Sequence, residues 1–191
     1  MKQGDAQRTA FTDEEISAIY RAVGSQADRV LILRNRAMVT VLLNSALQAY
    51  ELLSLKVDSF DSSGGVSVNG KSGKRRSVTI LTSGVKAVKV YLKARRKRDE
   101  IRWLTCTGDP LTKAGLRQMI LTIRRRSSVA EGVYTHRFRH TAVTRLLKAG
   151  VPLRSVQLYA GHSDPQTTLR YAQAIDVDEA VAAVDGRRDL P

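Results

Sequence analysis

The sequence predicts a mainly α-helical domain with a small three-stranded antiparallel β-sheet, an α+β class. Two observations predict it. Over most of its 191 residues the apolar positions recur at helical spacing, and only between about residues 57 and 80 does the period fall to two. Apolar residues make up 42% of the chain, which is enough to close a core and excludes wholesale disorder.

The elements follow in order. Thr12 and Glu15 frame a capping box, and a helix should run from there to about Val23. Apolar residues cover almost every side of Val30 to Leu47, which predicts a buried central helix. Glu51 to Leu55 reads as a short helix. Three short strands follow, carried by Val57 and Phe60, by Val66 and Val68, and by Val78 and Ile80, with Asp61–Gly65 and Gly70–Gly73 as turns. Helices return at Ser83–Arg98 and Thr112–Arg126. Another spans Thr135–Ala149, closed by Gly150, and the next Pro152–Tyr159, ended by Gly161. A second capping box, Ser163 to Gln166 with Pro165 in the first turn, opens a helix carrying Tyr171. Asp176–Val184 reads as a last, acidic helix.

Charge narrows the function classes. There are 32 Lys and Arg against 18 Asp and Glu, a net charge of +14, and five of the acids lie in the last sixteen residues. Such a body seeks a polyanion. No apolar run is long and uncharged enough to span a membrane, because Arg34, Asn35 and Arg36 interrupt the longest one, and the first fifteen residues contain no apolar signal segment. We therefore expect a cytoplasmic, DNA-associated protein with no membrane partner. The single cysteine, Cys106, excludes an internal disulfide and CxxC zinc sites. Neither GxxxxGK[ST] nor GxGxxG occurs, which argues against a nucleotide-driven motor. The cations gather in three runs, Lys71–Arg76 on a hairpin, Lys93–Arg98 at one helix end and Arg124–Arg126 at another. One run alone would be a solvated face, or cations favoured by a helix C-terminus. Three runs point to a phosphate backbone. Lys74, Arg75, Arg76, Arg95, Arg96, Arg98, Arg124 and Arg125 are the expected DNA contacts. Aromatic residues are only 5% of the chain, which favours duplex over stacked single strands.

All three histidines fall between residues 136 and 162. His136, Arg139 and His140 share a helical face by spacing. His162 follows Gly161, and Tyr171 comes nine residues later. A zinc site from the three histidines lacks a fourth ligand, and ordinary polar residues on solvated helices would account for any one of these positions alone. Together they fit phosphodiester chemistry. Arginine pairs bidentately with phosphate oxygens. A tyrosine hydroxyl, whose free pKa is about 10, becomes a nucleophile when cations ease loss of its proton. A lysine on a hairpin can protonate the departing oxygen. Neither a metal nor another cofactor is expected. Tyr159 is a rival nucleophile, but its place on an apolar helix favours a pocket-wall role. Trp103 and Cys106 read as packing residues, and His140 as a structural neighbour of Arg139.

The run His136-Arg137-Phe138-Arg139-His140, then Tyr159-Ala160-Gly161-His162 and Thr167-Thr168-Leu169-Arg170-Tyr171, resembles the catalytic domain of tyrosine recombinases, the phage integrases and Xer-type enzymes. Glu51-Leu52-Leu53-Ser54-Leu55 and the Gly70–Ile80 hairpin resemble that family's upstream segments, so the similarity spans about Thr12 to Ala174. It implies that Tyr171 attacks the scissile phosphate and forms a 3′-phosphotyrosyl link. Arg139 would hold the phosphate. His136 would accept a proton or donate to the phosphate, and His162 would donate to a non-bridging oxygen. Lys71 would protonate the 5′-oxygen, and Glu51 would orient its neighbours. The resemblance further implies double-stranded DNA as partner, a synaptic tetramer on DNA, and a monomer in free solution.

One position departs from the pattern. Gln48 stands where the family carries its first catalytic arginine, and the loss of one charged donor to a transition-state oxyanion costs about 10²–10³ in rate. The register rests on Glu51-Leu52-Leu53-Ser54-Leu55. Arg34 and Arg36, on the preceding helix, are no evident substitutes. The domain expectation is a catalytic domain over residues 1–175 and an acidic helix or tail over 176–191, with no N-terminal core-binding domain. The function expectation is a site-specific recombinase whose chemistry Gln48 weakens. Its competitor is a DNA-binding protein that keeps the fold without cutting, and a topoisomerase IB-like enzyme is a third reading.

Overall fold

The computed structural model describes residues 9–59, 64–69, 75–95, 103–162, 164–173 and 175. The chain divides into two compact units, residues 1–142 and 143–191.

The first unit opens with α1 (Asp13–Gly24), and the expected capping box is present: Glu15 N–H donates to Thr12 Oγ1 at 3.2 Å and Thr12 N–H to Glu15 Oε2 at 3.0 Å. Its buried stripe is Ile16, Ile19, Ala22 and Val23. Asp28 caps α2 (Arg29–Leu43), its carboxylate accepting from the N–H groups of Val30 and Leu31. The run from Ala37 to Leu43 is buried throughout, as expected of a central helix. The helix stops earlier than Leu47 because Ser45 Oγ donates to the Val41 carbonyl at 2.6 Å and Ala46 turns to the left-handed region, φ 49°. A short α3 (Ala49–Leu53) follows.

Val57, expected in the first of the three strands, does not lie in one. Val57–Ser59 is a 3₁₀ turn, because Ser59 closes it from both sides: its N–H donates to the Lys56 carbonyl at 3.2 Å, and its Oγ accepts from Lys56 N–H at 2.7 Å. Phe60 lies outside the described residues. Among the described residues the sheet is the antiparallel pair β1 (Gly65–Asn69) and β2 (Arg75–Thr79), in the register Val66↔Val78 and Val68↔Arg76. Val66, Val68 and Val78 fill the buried face.

Helix α4 (Thr82–Ala94) packs on α2, and Gly84 sets how closely: a Cβ there would lie 2.6 Å from Ile80 Cγ2 and 3.8 Å from Val41 Cγ2. Trp103, buried, stacks on Tyr91 of α4 and donates its indole N–H to the Leu52 carbonyl of α3 at 2.6 Å. Helix α5 (Lys113–Ser127), capped by Thr112, packs against α1 and α3. Helix α6 (Thr135–Lys148) crosses the division between the units. Its buried Arg137 donates to the carbonyls of Thr9 and Gly132, pairs with Glu15 at 2.7 Å and lies over the Phe11 ring.

The second unit contains the end of α6, then α7 (Leu153–Ala160). Gly161 ends α7 in the left-handed region, φ 67°. Its N–H donates to the Leu158 carbonyl, and His162 N–H donates to the Gln157 carbonyl, which together make a Schellman cap. Residues 165–173 form a further helix, α8. Of its expected capping box, Ser163 lies outside the described residues, and Asp164 serves, accepting from Gln166 N–H at 3.0 Å. The expected acidic helix at 176–184 also lies outside them. Among the described residues no helix is long and apolar enough to cross a membrane.

Candidate active site

In the first unit Arg139, Gln48 and Glu51 are held at the turn between α2 and α3. Arg139, 4% exposed, rises from α6 and donates Nη1 to the Ala46 carbonyl at 2.6 Å. That carbonyl belongs to the left-handed residue of the turn, so the arginine is anchored on a backbone shape. His136, one turn earlier on α6, is exposed. Gln48, expected from the resemblance to stand in an arginine's place, starts α3 as its N-cap and is half-buried. Glu51 is 1% exposed. Its Oε2 accepts from the Gln48 N–H at 2.7 Å and from Arg76 Nη2 at 2.8 Å, while Oε1 accepts from Arg76 Nε at 3.1 Å. A buried carboxylate is thus matched by a bidentate guanidinium, the geometry that makes such pairs tolerable.

Arg76 was expected among the DNA contacts. It stands opposite Val68 in the sheet register, on the same face as Val78, and so points inward to Glu51. Arg75, on the other face of β2, is exposed, as are Arg124 and Arg125 in the last turn of α5. Arg95, at the C-cap of α4, is half-buried. Lys71, Lys74, Arg96 and Arg98 lie outside the described residues. Arg34 and Arg36 of α2 are both engaged elsewhere. Arg34 is buried and bonded to Asn35 Oδ1 and to the Leu104 carbonyl, and burial lowers its pKa from the ordinary arginine value. Arg36 lies over the Tyr20 ring.

In the second unit the Schellman cap sets the backbone of His162, and the Gln157 side-chain amide reaches its carbonyl at 3.4 Å. The imidazole lies parallel to the Tyr171 ring, with centroids 6.0 Å apart and an interplanar angle of 5°. Its Nδ1 is 2.7 Å from Thr168 Oγ1. Among the described residues no three metal-ligating side chains come together. Sequence reasoning missed Thr168, the Ala46 carbonyl and the inward turn of Arg76. The first and last carry a signal: Thr168 is three residues from Tyr171 on a helix, and Arg76 shares the parity of Val78 and Ile80.

A helical core with one small antiparallel hairpin is the fold of tyrosine recombinase catalytic cores. It matches the crystal structure of the XerH site-specific recombinase bound to a palindromic difH substrate, in its post-cleavage complex, with a TM-score of 0.75 at 21% identity over 93% of this chain and 54% of that one. The chain belongs to the phage integrase family, whose profile matches residues 9–177. It is 34% identical to the tyrosine recombinase XerC of Leptospira interrogans over 166 residues, 84% of this chain and 53% of that protein. It is 31% identical to XerD of Mycobacterium leprae over 176 residues, 85% of this chain and 55% of that protein. The chain therefore spans about half the length of the curated relatives it matches.

Proposed function

We propose that this chain supplies the catalytic half of a site-specific DNA recombinase. Tyr171 attacks a phosphodiester, forms a 3′-phosphotyrosyl link and releases a 5′-hydroxyl. The reversal of that step by a 5′-hydroxyl rejoins the strand, and because the link conserves bond energy no ATP is consumed. Arg139 neutralises a non-bridging oxygen, His162 donates to one, His136 accepts a proton or donates to the phosphate, and Lys71 protonates the leaving oxygen. Exposed Arg75, Arg124 and Arg125 contribute to a salt-sensitive hold on duplex DNA. On DNA the protein assembles with further copies of itself; free in solution it is a monomer, and its place is the cytoplasm with the DNA.

The observation that carries this reading is the pairing of His162 with Tyr171, ring parallel to ring at 6.0 Å, in a chain with Arg139 buried on the α2–α3 turn. Gln48 supports a second reading, a protein that binds recombination sites and cuts them slowly or not at all. A nicked duplex that loses its short 5′-hydroxyl fragment on cleavage separates the two. Covalent protein–DNA product that vanishes in Tyr171→Phe supports the enzyme. Binding without any covalent product supports the second reading.

A further inference from the structure

We propose that Thr168 is a positioning residue for His162: its hydroxyl donates to Nδ1, holds the ring proton on Nε2 and locks the imidazole to the helix that carries Tyr171. This deepens, and rests on, the role of His162 as a phosphate donor.

Four observations carry it. Thr168 is fully buried, so water does not compete for its hydroxyl. The Oγ1···Nδ1 distance is 2.7 Å, a full hydrogen bond and not a passing contact. The backbone of His162 is fixed independently by the Gly161 cap and by the Gln157 amide, so a tether at Nδ1 restrains the ring about χ1 and χ2. Thr168 and Tyr171 are three residues apart on α8 and therefore lie on one side of it. One helix thus presents the hydroxyl that orients the imidazole and the phenol that the imidazole lies against.

The chemistry decides which partner donates. A neutral imidazole has one N–H. Were Nδ1–H to donate to Thr168, Nε2 would be an acceptor, able to approach an anionic phosphate oxygen only after the ring gained a second proton. With the threonine as donor, the neutral ring already offers Nε2–H. Tautomers are set in this way by whatever the other nitrogen bonds.

The test uses the full chain labelled with ¹⁵N in its three histidines, with His162→Gln to assign the signal. At about pH 8.5, two units above the ordinary histidine pKa, the expected spectrum has a pyrrole-type Nε2 and a hydrogen-bonded pyridine-type Nδ1 for His162. The reverse assignment overturns the proposal. Thr168→Ser should keep the spectrum, while Thr168→Val should lose the shift of the bonded Nδ1; an unchanged spectrum in Thr168→Val also overturns it. On the nicked duplex, Thr168→Val should slow covalent trapping about tenfold with unchanged DNA affinity, and Thr168→Ser should restore it. Equal trapping by Val and Ser variants overturns the positioning role. Because the spectra are read without DNA, a chain that shows the expected tautomer but never cleaves would refute the recombinase reading and leave the Thr168 assignment standing.

Discussion

Replacing Arg76 by methionine keeps an apolar stem on the inner face of β2 and removes both hydrogen bonds that its guanidinium makes to Glu51. The carboxylate is 1% exposed, so it cannot recover its lost partner from solvent without opening the fold. Stranding a buried charge in this way costs about 3–5 kcal/mol, at least about a fifth of the stability of a domain held by about 5–15 kcal/mol. Glu51→Leu in the same background removes the orphaned charge and should recover part of the loss, so the double variant should be more stable than Arg76→Met alone. The pair should show a coupling of about 2–3 kcal/mol in the double-mutant cycle. Trp103 is the only tryptophan in the chain, and its indole donates to the Leu52 carbonyl beside Glu51. Its fluorescence in a urea titration therefore reports on α3 directly. A loss below about 1 kcal/mol for Arg76→Met at an unchanged m-value would mean that water reaches Glu51, and the account of this pair as a buried clasp would be wrong.

Gln48→Arg should raise covalent trapping on the nicked duplex by about two orders of magnitude with little change in DNA affinity, because the gain belongs to the transition state; wild-type cleavage already as fast as the variant would show that another donor serves. Gly161→Ala, forced to hold φ near 67°, should cost about 1 kcal/mol in thermal unfolding. The logarithm of duplex affinity should fall linearly with the logarithm of salt concentration, with a slope of several phosphate contacts, and charge reversal at Arg124 and Arg125 should flatten it; a slope unmoved by both changes would exclude α5 from the DNA face.

Local chemistry made much of this legible in the sequence. The Thr12 and Glu15 box, the apolar run of α2 and the glycine at 161 each act within a few residues, and the structure carries all three. Glu51 and Arg139 were marked by their motifs, but not the reason they matter here, since the partners are remote: Arg76 is 25 residues from Glu51, and Ala46 is 93 from Arg139. The misreading at Val57 has the opposite cause. An alternating apolar pair resembles a strand, and a single serine side chain outbid it by closing a turn. Arg76 was grouped by charge with its neighbours, although the two-residue period of a strand sets it apart from Arg75.

The segment Thr9–Phe11 is stitched to one face of α6. Arg137 takes the carbonyl of Thr9 and lies over the Phe11 ring, Phe138 packs its ring on the same phenylalanine at 5.0 Å, and Thr141 accepts the Phe11 N–H at 2.9 Å. Mechanically, residues 9–11 are a strap across the first turns of α6, fastened to the residues flanking Arg139, which itself grips the Ala46 carbonyl. The anchoring of residues 9–11 is thereby coupled to the helix that presents Arg139.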